Sequence, residues 1–278
     1  MMIVDLHCHS HYSDGTLSPH ALIEQAIAHK VKLLALTDHD TCAGIQALKQ
    51  ASLAHASLIK VLPGIEFSVR WKKLDIHLVG LNIDVAHDKL SFYVMQQQEA
   101  RLKRAHKIAE SLEHLGISNA FAKVVAIAQN ASIGRPHFAQ LLINEKKVNH
   151  AKAAFKQYLG RGRPAYVATE WLSLAEAIAV IQAAGGMAVL AHPLKYKLTH
   201  TKLHELVMAF KAAGGEALEV VSGTSTLKER NEMSKLCQTY DLFASSGSDY
   251  HGNFSRIGLG QQSALPEECQ PIWQHWII

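Results

Sequence analysis

The sequence predicts an α/β protein, built as a parallel sheet or a barrel and interrupted by one helical insertion. Three observations carry that expectation. About seven short apolar runs alternate with stretches of helical periodicity. The alternation breaks over residues 95–165, which hold helix and basic loops without a strand pattern. His, Asp and Glu recur where the apolar runs end, the usual place for active sites in parallel α/β architectures.

In chain order, residues 3–9 read as the first strand. Ser18-Pro19 opens a helix, with Ser as N-cap and Pro at the first helical position. Residues 33–38 form a second strand and 44–55 a helix. Residues 61–69 and 74–82 are strands three and four, joined by so short a link that an antiparallel pair is expected. A long helix follows over 91–115, in which Phe92, Met95, Leu102, Ala105, Ile108, Ala109, Leu112 and Leu115 recur near a 3.6 period until Gly116. Ser173-x-x-Glu176 is a capping box that restarts the alternation. Residues 186–191, 217–221 and 242–248 read as strands. Helices over 202–213 and after Thr226-x-x-Glu229 separate them. The barrel is expected from residues 1–94 and 166–278, with 95–165 inserted as a substrate-binding cap.

The 278 residues suffice for one large core, and 48% hydrophobic with 19% charged residues is ordinary for a globular chain. No run approaches the roughly 20 apolar residues of a membrane span. The start, Met1-Met2-Ile3-Val4-Asp5, lacks a basic region and an apolar stretch, so it reads as a strand and the expected location is the cytoplasm. Cys8, Cys42, Cys237 and Cys269 are scattered, which argues for reduced structural thiols over a zinc ribbon or disulfides. A net charge of +4 permits an anionic substrate without requiring one. Nothing marks an obligate protein partner. Of the 18 histidines, those in polar helical stretches, such as His20, His29, His106 and His204, read as surface residues.

The others have a different distribution. The first strand ends in His7-Cys8-His9, and residues two apart on a strand face the same way, so both imidazoles reach one ion. Asp14 follows in the next loop. Strand two runs into Thr37-Asp38-His39-Asp40, strand three into Gly64-Ile65-Glu66, and strand four carries His77. Ala191-His192-Pro193 and Ser248-Asp249-Tyr250-His251 close the later strands. Singly, each is as readily a hydrogen-bonded residue or a helix cap. Together they are too many ionisable groups for one end of a core, because burying them uncompensated is costly. Metal ions supply the compensating charge. Nitrogen and oxygen ligands without thiolate suit two or three ions such as Mn²⁺, with Zn²⁺ or Fe²⁺ as alternatives. A central Glu can bridge two of them, and closely spaced ions suit phosphoryl transfer.

These motifs, His7-Cys8-His9-Ser10 with Ser13-Asp14-Gly15, Thr37-Asp38-His39-Asp40, Gly64-Ile65-Glu66, His77-Leu78-Val79-Gly80, Ala191-His192-Pro193 and Gly247-Ser248-Asp249-Tyr250-His251, resemble the polymerase and histidinol phosphatase (PHP) family, in the family's order. The resemblance implies a distorted (β/α)₇ TIM-like barrel with a trinuclear metal centre. It implies that His7, His9, Glu66 and Asp249 hold one ion, and that Glu66, His77 and His192 hold a second. Asp14, His39 and His251 would hold a third, with Asp38 and Asp40 orienting the ligands.

The insertion is similar to that of the stand-alone members that act as 3′,5′-nucleotide bisphosphate phosphatases or 5′→3′ exoribonucleases. Its Gly134-Arg135-Pro136-His137 and Gly160-Arg161-Gly162-Arg163 elements are either phosphate clamps or solvated basic loops. The expected function is hydrolysis of nucleotide phosphate esters, of pAp or of a short RNA 5′ end. The expected nucleophile is metal-activated hydroxide attacking a 5′-phosphoryl group. Glu66, Asp40, His137 and His251 are the expected catalytic residues, with His137 or His251 protonating the departing oxygen. Arg135, His137, Arg161 and Arg163 are the expected substrate contacts. The rivals are a histidinol-phosphate-type phosphatase, a C–N-cleaving amidohydrolase, and a non-catalytic nucleotide-binding module.

Overall fold

The computed structural model describes residues 2–252 and 255–276. Its strands are β1 (Ile3–Asp5), β2 (Val31–Leu36), β3 (Lys60–Trp71), β4 (Leu74–Leu81), β5 (Leu172–Ser173), β6 (Met187–Leu190), β7 (Ala217–Ser222) and β8 (Phe243–Gly247). They form one sheet in the order β1-β2-β3-β4-β6-β7-β8, with the short β5 paired beside β3. The two ends of that order meet. Leu6 N–H donates to the Ser246 carbonyl at 3.0 Å and His9 N–H to the Tyr250 carbonyl at 2.9 Å, so the sheet curls into a nearly closed barrel.

The helices are α1 (Pro19–Ala28), α2 (Ile45–Leu53), α3 (Asp88–His114), α4 (Ala120–Ala128), α5 (Arg135–Asn144), α6 (Ala151–Ala154), α7 (Leu174–Ala183), α8 (His200–Ala212) and α9 (Leu227–Tyr240). Their starts follow the sequence signals. The Ser18 hydroxyl accepts the Ala21 N–H at 3.2 Å, and Ser173–Glu176 and Thr226–Glu229 both close as reciprocal capping boxes. Among the described residues no helix is long and apolar enough to cross a membrane.

The barrel departs from strict alternation at one place. β3 and β4 are joined by the tight turn at Lys72-Lys73 and pair antiparallel, and β4 is antiparallel to β6 as well. The hairpin lets β3 run on to Trp71. Glu66 therefore lies in the middle of a 12-residue strand, opposite Val79, and not at a strand end as the sequence suggested.

Side chains alternate across each strand, so residues two apart from the site point into the lumen below it. Leu33 and Ala35 lie below His39, Leu62 below Glu66, and Val79 and Leu81 beside His77; with Val189 and Ala217 they form one buried cluster, to which Ile272 also belongs. Each such side chain contributes roughly 1.5–3 kcal/mol by leaving water, and together they fix the strand ends that carry the site. α1 and α2 cover one side of the barrel, and α7, α8 and α9 the other.

The insertion has a hydrophobic cluster of its own. It joins Ile108 and Leu112 of α3 to Val124, Phe138, Leu142 and Leu159. The expected apolar stripe of α3 holds only in this second half. In the first half Phe92, Met95 and Leu102 are 50%, 56% and 48% exposed, while Gln97, Arg101 and Arg104 are buried. The buried face turns polar there because it packs against the carboxylate of Asp40.

Candidate metal centre

The structure brings all nine sequence-predicted ligands to one end of the barrel, around the carboxylate of Glu66. One Glu66 oxygen, Oε2, lies 3.3 Å from both His7 Nε2 and His9 Nε2. Asp249 Oδ1 stands 3.5 Å from each of the same nitrogens. The other oxygen, Oε1, lies 2.9 Å from His77 Nδ1 and 3.0 Å from His192 Nε2. Asp14 gathers a third group: Oδ1 is 3.3 Å from His251 Nε2 and 3.8 Å from His9 Nδ1, and Oδ2 is 3.7 Å from His39 Nε2. These contacts follow the three implied ligand sets with two additions. His9 and His39 each offer a nitrogen to two groups, His39 Nδ1 standing 3.0 Å from Glu66 Oε2.

The residues fit divalent ions on three grounds. Ligand atoms roughly 2.0–2.2 Å from a shared ion stand about 3–3.5 Å apart, which is the spacing found. His7 Nε2, both nitrogens of His9, His39 Nδ1 and Glu66 Oε2 are buried and make no hydrogen bond. Each such atom costs about 1–3 kcal/mol unless something occupies its lone pair. The charges also call for cations. Burial alone would raise Glu66, but the imidazoles of His39, His77 and His7 hold it well below the carboxylate range. Asp14 and Asp249 are likewise held well below theirs, against burial, by facing histidines. Burial pushes His9 down to about 3 and His77 down to about 4, the neutral form that metals bind. Against burial, the facing carboxylates raise His7 and His39, and His251 to about 10, so without ions these three carry the compensating charge.

Local backbone serves this arrangement. His192 (φ 32°) and Asp249 (φ 53°) lie in the left-handed region, a strain typical of functional sites. Gly247 lies so close to β1 that a Cβ there would meet His7 Cβ at 2.3 Å. Gly15 packs on the His9 carbonyl in the same way, at 2.3 Å.

Sequence reasoning missed the carboxylate that orients two of the ligands. Glu219, buried in β7, faces His7 Nδ1 at 2.9 Å and accepts the His192 N–H at 2.6 Å. That contact leaves His7 Nε2 to face the centre. Its signal was a lone Glu in the apolar run Ala217-Leu218-Glu219-Val220-Val221. Lys195 was missed as well. It reaches Asp249, and although burial favours the neutral amine, that carboxylate keeps it above its ordinary value.

Asp38 and Asp40 act at one remove. Asp38 accepts from Ser10 N–H at 2.8 Å and from the Ser10 and Ser13 hydroxyls at 2.6 Å, fixing the loop that carries Asp14. Burial pushes it up to about 6. Asp40, expected among the catalytic residues, has both oxygens engaged elsewhere: Oδ1 by Ser68 N–H and Gln97, Oδ2 by Arg101 Nε at 2.7 Å and Nη2 at 2.6 Å. Against burial, Arg101 holds it below its usual value. It anchors α3 to the barrel.

That anchor brings Arg101 beside two further arginines. Arg104 is buried, with Nε and Nη2 lacking hydrogen bonds, and its guanidinium lies 5.3 Å over the Trp171 ring. Burial, then the charges of Arg135 and Arg101, push Arg104 down to about 9. Arg135, at the start of α5, is lowered by burial and by Arg101, opposed by Asp75 and Tyr166. Three neighbouring cations, of which Arg104 has unmet donors, could hold an anion. Arg101 and Arg104 were hidden in the sequence as polar residues on a helix.

His137 is half-buried. Its Nδ1 accepts the Gly134 N–H at 3.0 Å, which leaves Nε2 to carry the proton, and burial lowers its pKa. Arg161 and Arg163 are exposed on the surface, and Arg161 donates to the Lys73 carbonyl at 3.2 Å. Neither appears among the charges that act on the buried arginines.

Comparison with known proteins agrees with this geometry. Residues 5–221 match the PHP domain. The chain belongs to the PHP domain family. It is 40% identical to the 5′-3′ exoribonuclease of Haemophilus influenzae, over 97% of each chain. It is 39% identical to the 5′-3′ exoribonuclease Rnm of Escherichia coli, over 99% of this PHP chain and 94% of the relative. A 3′,5′-nucleoside bisphosphate phosphatase of Chromobacterium violaceum is 40% identical, over 99% of this chain and 96% of its own. Among solved structures, one from Chromobacterium violaceum described as an amidohydrolase, with bound sulfate and no metal, superposes with a TM-score of 0.92 at 39% identity, over 98% of this chain and 95% of that one. A Bifidobacterium adolescentis protein whose description assigns it to the metal-dependent phosphoesterases gives 0.84 at 28% identity, over 95% and 93%.

Proposed function

We propose that this PHP protein hydrolyses nucleotide phosphate esters with divalent metal: 3′,5′-nucleoside bisphosphates such as pAp, and short 5′-phosphorylated RNA from its 5′ end. The observation that carries the reading is the cluster of buried Arg101 and Arg104 with half-buried Arg135 beside the nine predicted ligands. Arg101 acts electrostatically on both His39 and His137, so the cluster borders the centre. An ester with a second phosphate finds partners in both places. The two activities for which the relatives are named support the same substrate class.

Both activities suit one pose. A bisphosphate and an RNA 5′ end each present a 5′-phosphate and a phosphate on the 3′-oxygen of the same nucleotide. With the 5′-phosphate on the arginines, the 3′-linked phosphate lies at the centre. The pose therefore moves the expected attack from the 5′-phosphoryl group to the 3′-linked one. Two or three ions, Mn²⁺ foremost, would be held by His7, His9, Glu66 and Asp249, by Glu66, His77 and His192, and by Asp14, His39 and His251. Bound there, they supply an activated nucleophile at neutral pH and neutralise the phosphoryl oxygens. Glu66 spans two ligand groups, Glu219 orients His7, and the arginines hold the second phosphate. His137, outside the proposed ligand set and with its proton on Nε2, would donate a hydrogen bond to the departing 3′-oxygen. His251 is committed to Asp14.

C–N hydrolysis is the second reading, because of the description given to the Chromobacterium structure. A lysine bridging two ions would favour it; here Glu66 holds the middle and Lys195 meets only Asp249 at the edge. The test is phosphate release from pAp and nucleotide release from 5′-phosphorylated oligoribonucleotides by Mn²⁺-loaded protein. Turnover of either supports the proposal, and turnover of neither overturns it.

A further inference from the structure

A cavity of about 390 Å³ opens beside the metal centre on the side of β7 and α9. His192 and Asp249 lie at its inner end, so the cavity and the ligand cluster share a wall. Its size falls within the range of roughly 300–1,000 Å³ for small-molecule sites. Its lining is mixed. Leu194 and Ile257 supply apolar surface, Arg256 and the Asp249-paired Lys195 supply cations, Glu229 supplies a carboxylate, and Ser222, Thr224 and Ser225 supply hydroxyls. The hydroxyls of Ser222 and Ser225 are buried and have no hydrogen-bond partner among the described residues. A buried hydroxyl left unpaired is costly, so two of them on one cavity wall mark a place where polar groups of a ligand complete the pairing.

The arginine cluster cannot be the same subsite. It is built on α3 and α5 and borders His39 and His137, whereas the cavity borders His192 and Asp249. The centre is therefore flanked by two recognition elements. One is purely cationic. The other combines apolar surface, hydroxyls and the exposed cation Arg256, the combination that suits a base, a ribose and a phosphate together.

We propose that this cavity is the subsite for the second nucleotide of an RNA substrate, the one joined through its 5′-oxygen to the scissile phosphate. The inference rests on the phosphoesterase reading and deepens it. In hydrolysis, water adds to phosphorus and the bond to the 3′-oxygen of the first nucleotide breaks. That oxygen leaves with a proton as a 5′-nucleotide. The phosphate stays on the second nucleotide, as the new 5′-phosphate of the shortened chain. A bisphosphate has no second nucleotide and leaves the cavity unused. Arg256 then meets the following phosphodiester, Ser222 and Ser225 the ribose, and Leu194 and Ile257 the base.

The experiment compares pAp with the 5′-phosphorylated dinucleotide pApA on Mn²⁺-loaded full-length protein. Arg256→Glu reverses the charge at the cavity rim, and Ser225→Trp fills its interior. For both variants kcat/KM for pApA should fall by about tenfold or more, a loss of roughly 1.4 kcal/mol per factor of ten, while that for pAp stays within about twofold. A parallel fall on both substrates, or no change on pApA, overturns the subsite. If wild-type protein turns over neither substrate, the functional reading fails by itself. Fluorescence-detected binding of labelled pApA to metal-free protein then decides the subsite separately. Weaker binding by Arg256→Glu supports it and equal binding overturns it.

Discussion

The metal centre and the arginine cluster lie side by side, yet they are made in opposite ways. The centre draws one or two side chains from nearly every strand, and β-sheet register places them. The arginine cluster draws on one face of α3, at positions 101 and 104, and on the first residue of α5. In the centre, buried charges compensate each other across several strands. In the cluster, like charges are crowded together, with Asp40 paired to Arg101 and Asp75 near the other two. The first is a rigid site for small ions. The second is, in the proposed function, an anion site whose free energy the substrate would complete. Changes in the centre should therefore strike catalysis and metal together, and changes in the cluster should separate substrate binding from metal.

The largest effect is expected from Glu66→Gln, which removes the carboxylate shared by two ligand groups. It should lower kcat by roughly 10³-fold, with circular dichroism unchanged. Asp40→Asn tests the link between the two regions. It leaves Arg101 buried without its counter-charge and should lower unfolding free energy by about 3–5 kcal/mol in urea titrations. The same pair has a pH signature. Because Arg101 depresses the Asp40 pKa, its contribution is present above the unfolded carboxylate value and is lost as pH falls through the lower folded one. Asp40→Asn should flatten that acid limb.

Arg135→Ala removes a charge-assisted contact to the second phosphate. It should lower kcat/KM for pAp by about 30- to 100-fold while metal content stays at the wild-type level. A loss of metal in this variant would break the contrast between the regions. Glu219→Gln should weaken metal affinity by about 10- to 100-fold, since it acts only through the orientation of His7 and His192. The smallest effect is expected far from both. Ser173→Ala opens the capping box of α7 and should cost about 1 kcal/mol without altering either activity.

The same contrast explains what the sequence disclosed. Strand-borne ligands are legible because period-2 geometry ties spacing to direction: His7 and His9 had to face one way, and every predicted ligand reached the centre. The antiparallel β3–β4 pair was legible from the short link, but the length of β3 was not. Glu66 proved to be a mid-strand residue because its strand continues to pair with β4 beyond the site. Helix-borne residues were less legible. Phe92, Met95 and Leu102 suggested an apolar buried face, and the carboxylate of Asp40 selected a polar one instead. Nothing local in α3 reveals a partner about 60 residues earlier. Glu219 had the opposite fault: its signal was present, but a single acid in an apolar strand does not say which histidine it holds.

In the proposed site Glu66 joins the ligands into one multinuclear centre. Metal-to-protein stoichiometry, measured by mass spectrometry after Mn²⁺ reconstitution and desalting, tests it most directly. Wild-type protein should retain two or three ions and Glu66→Gln no more than one, because the shared carboxylate is gone. Equal stoichiometry in the two proteins, or a wild-type chain that retains one ion or none, would contradict the account.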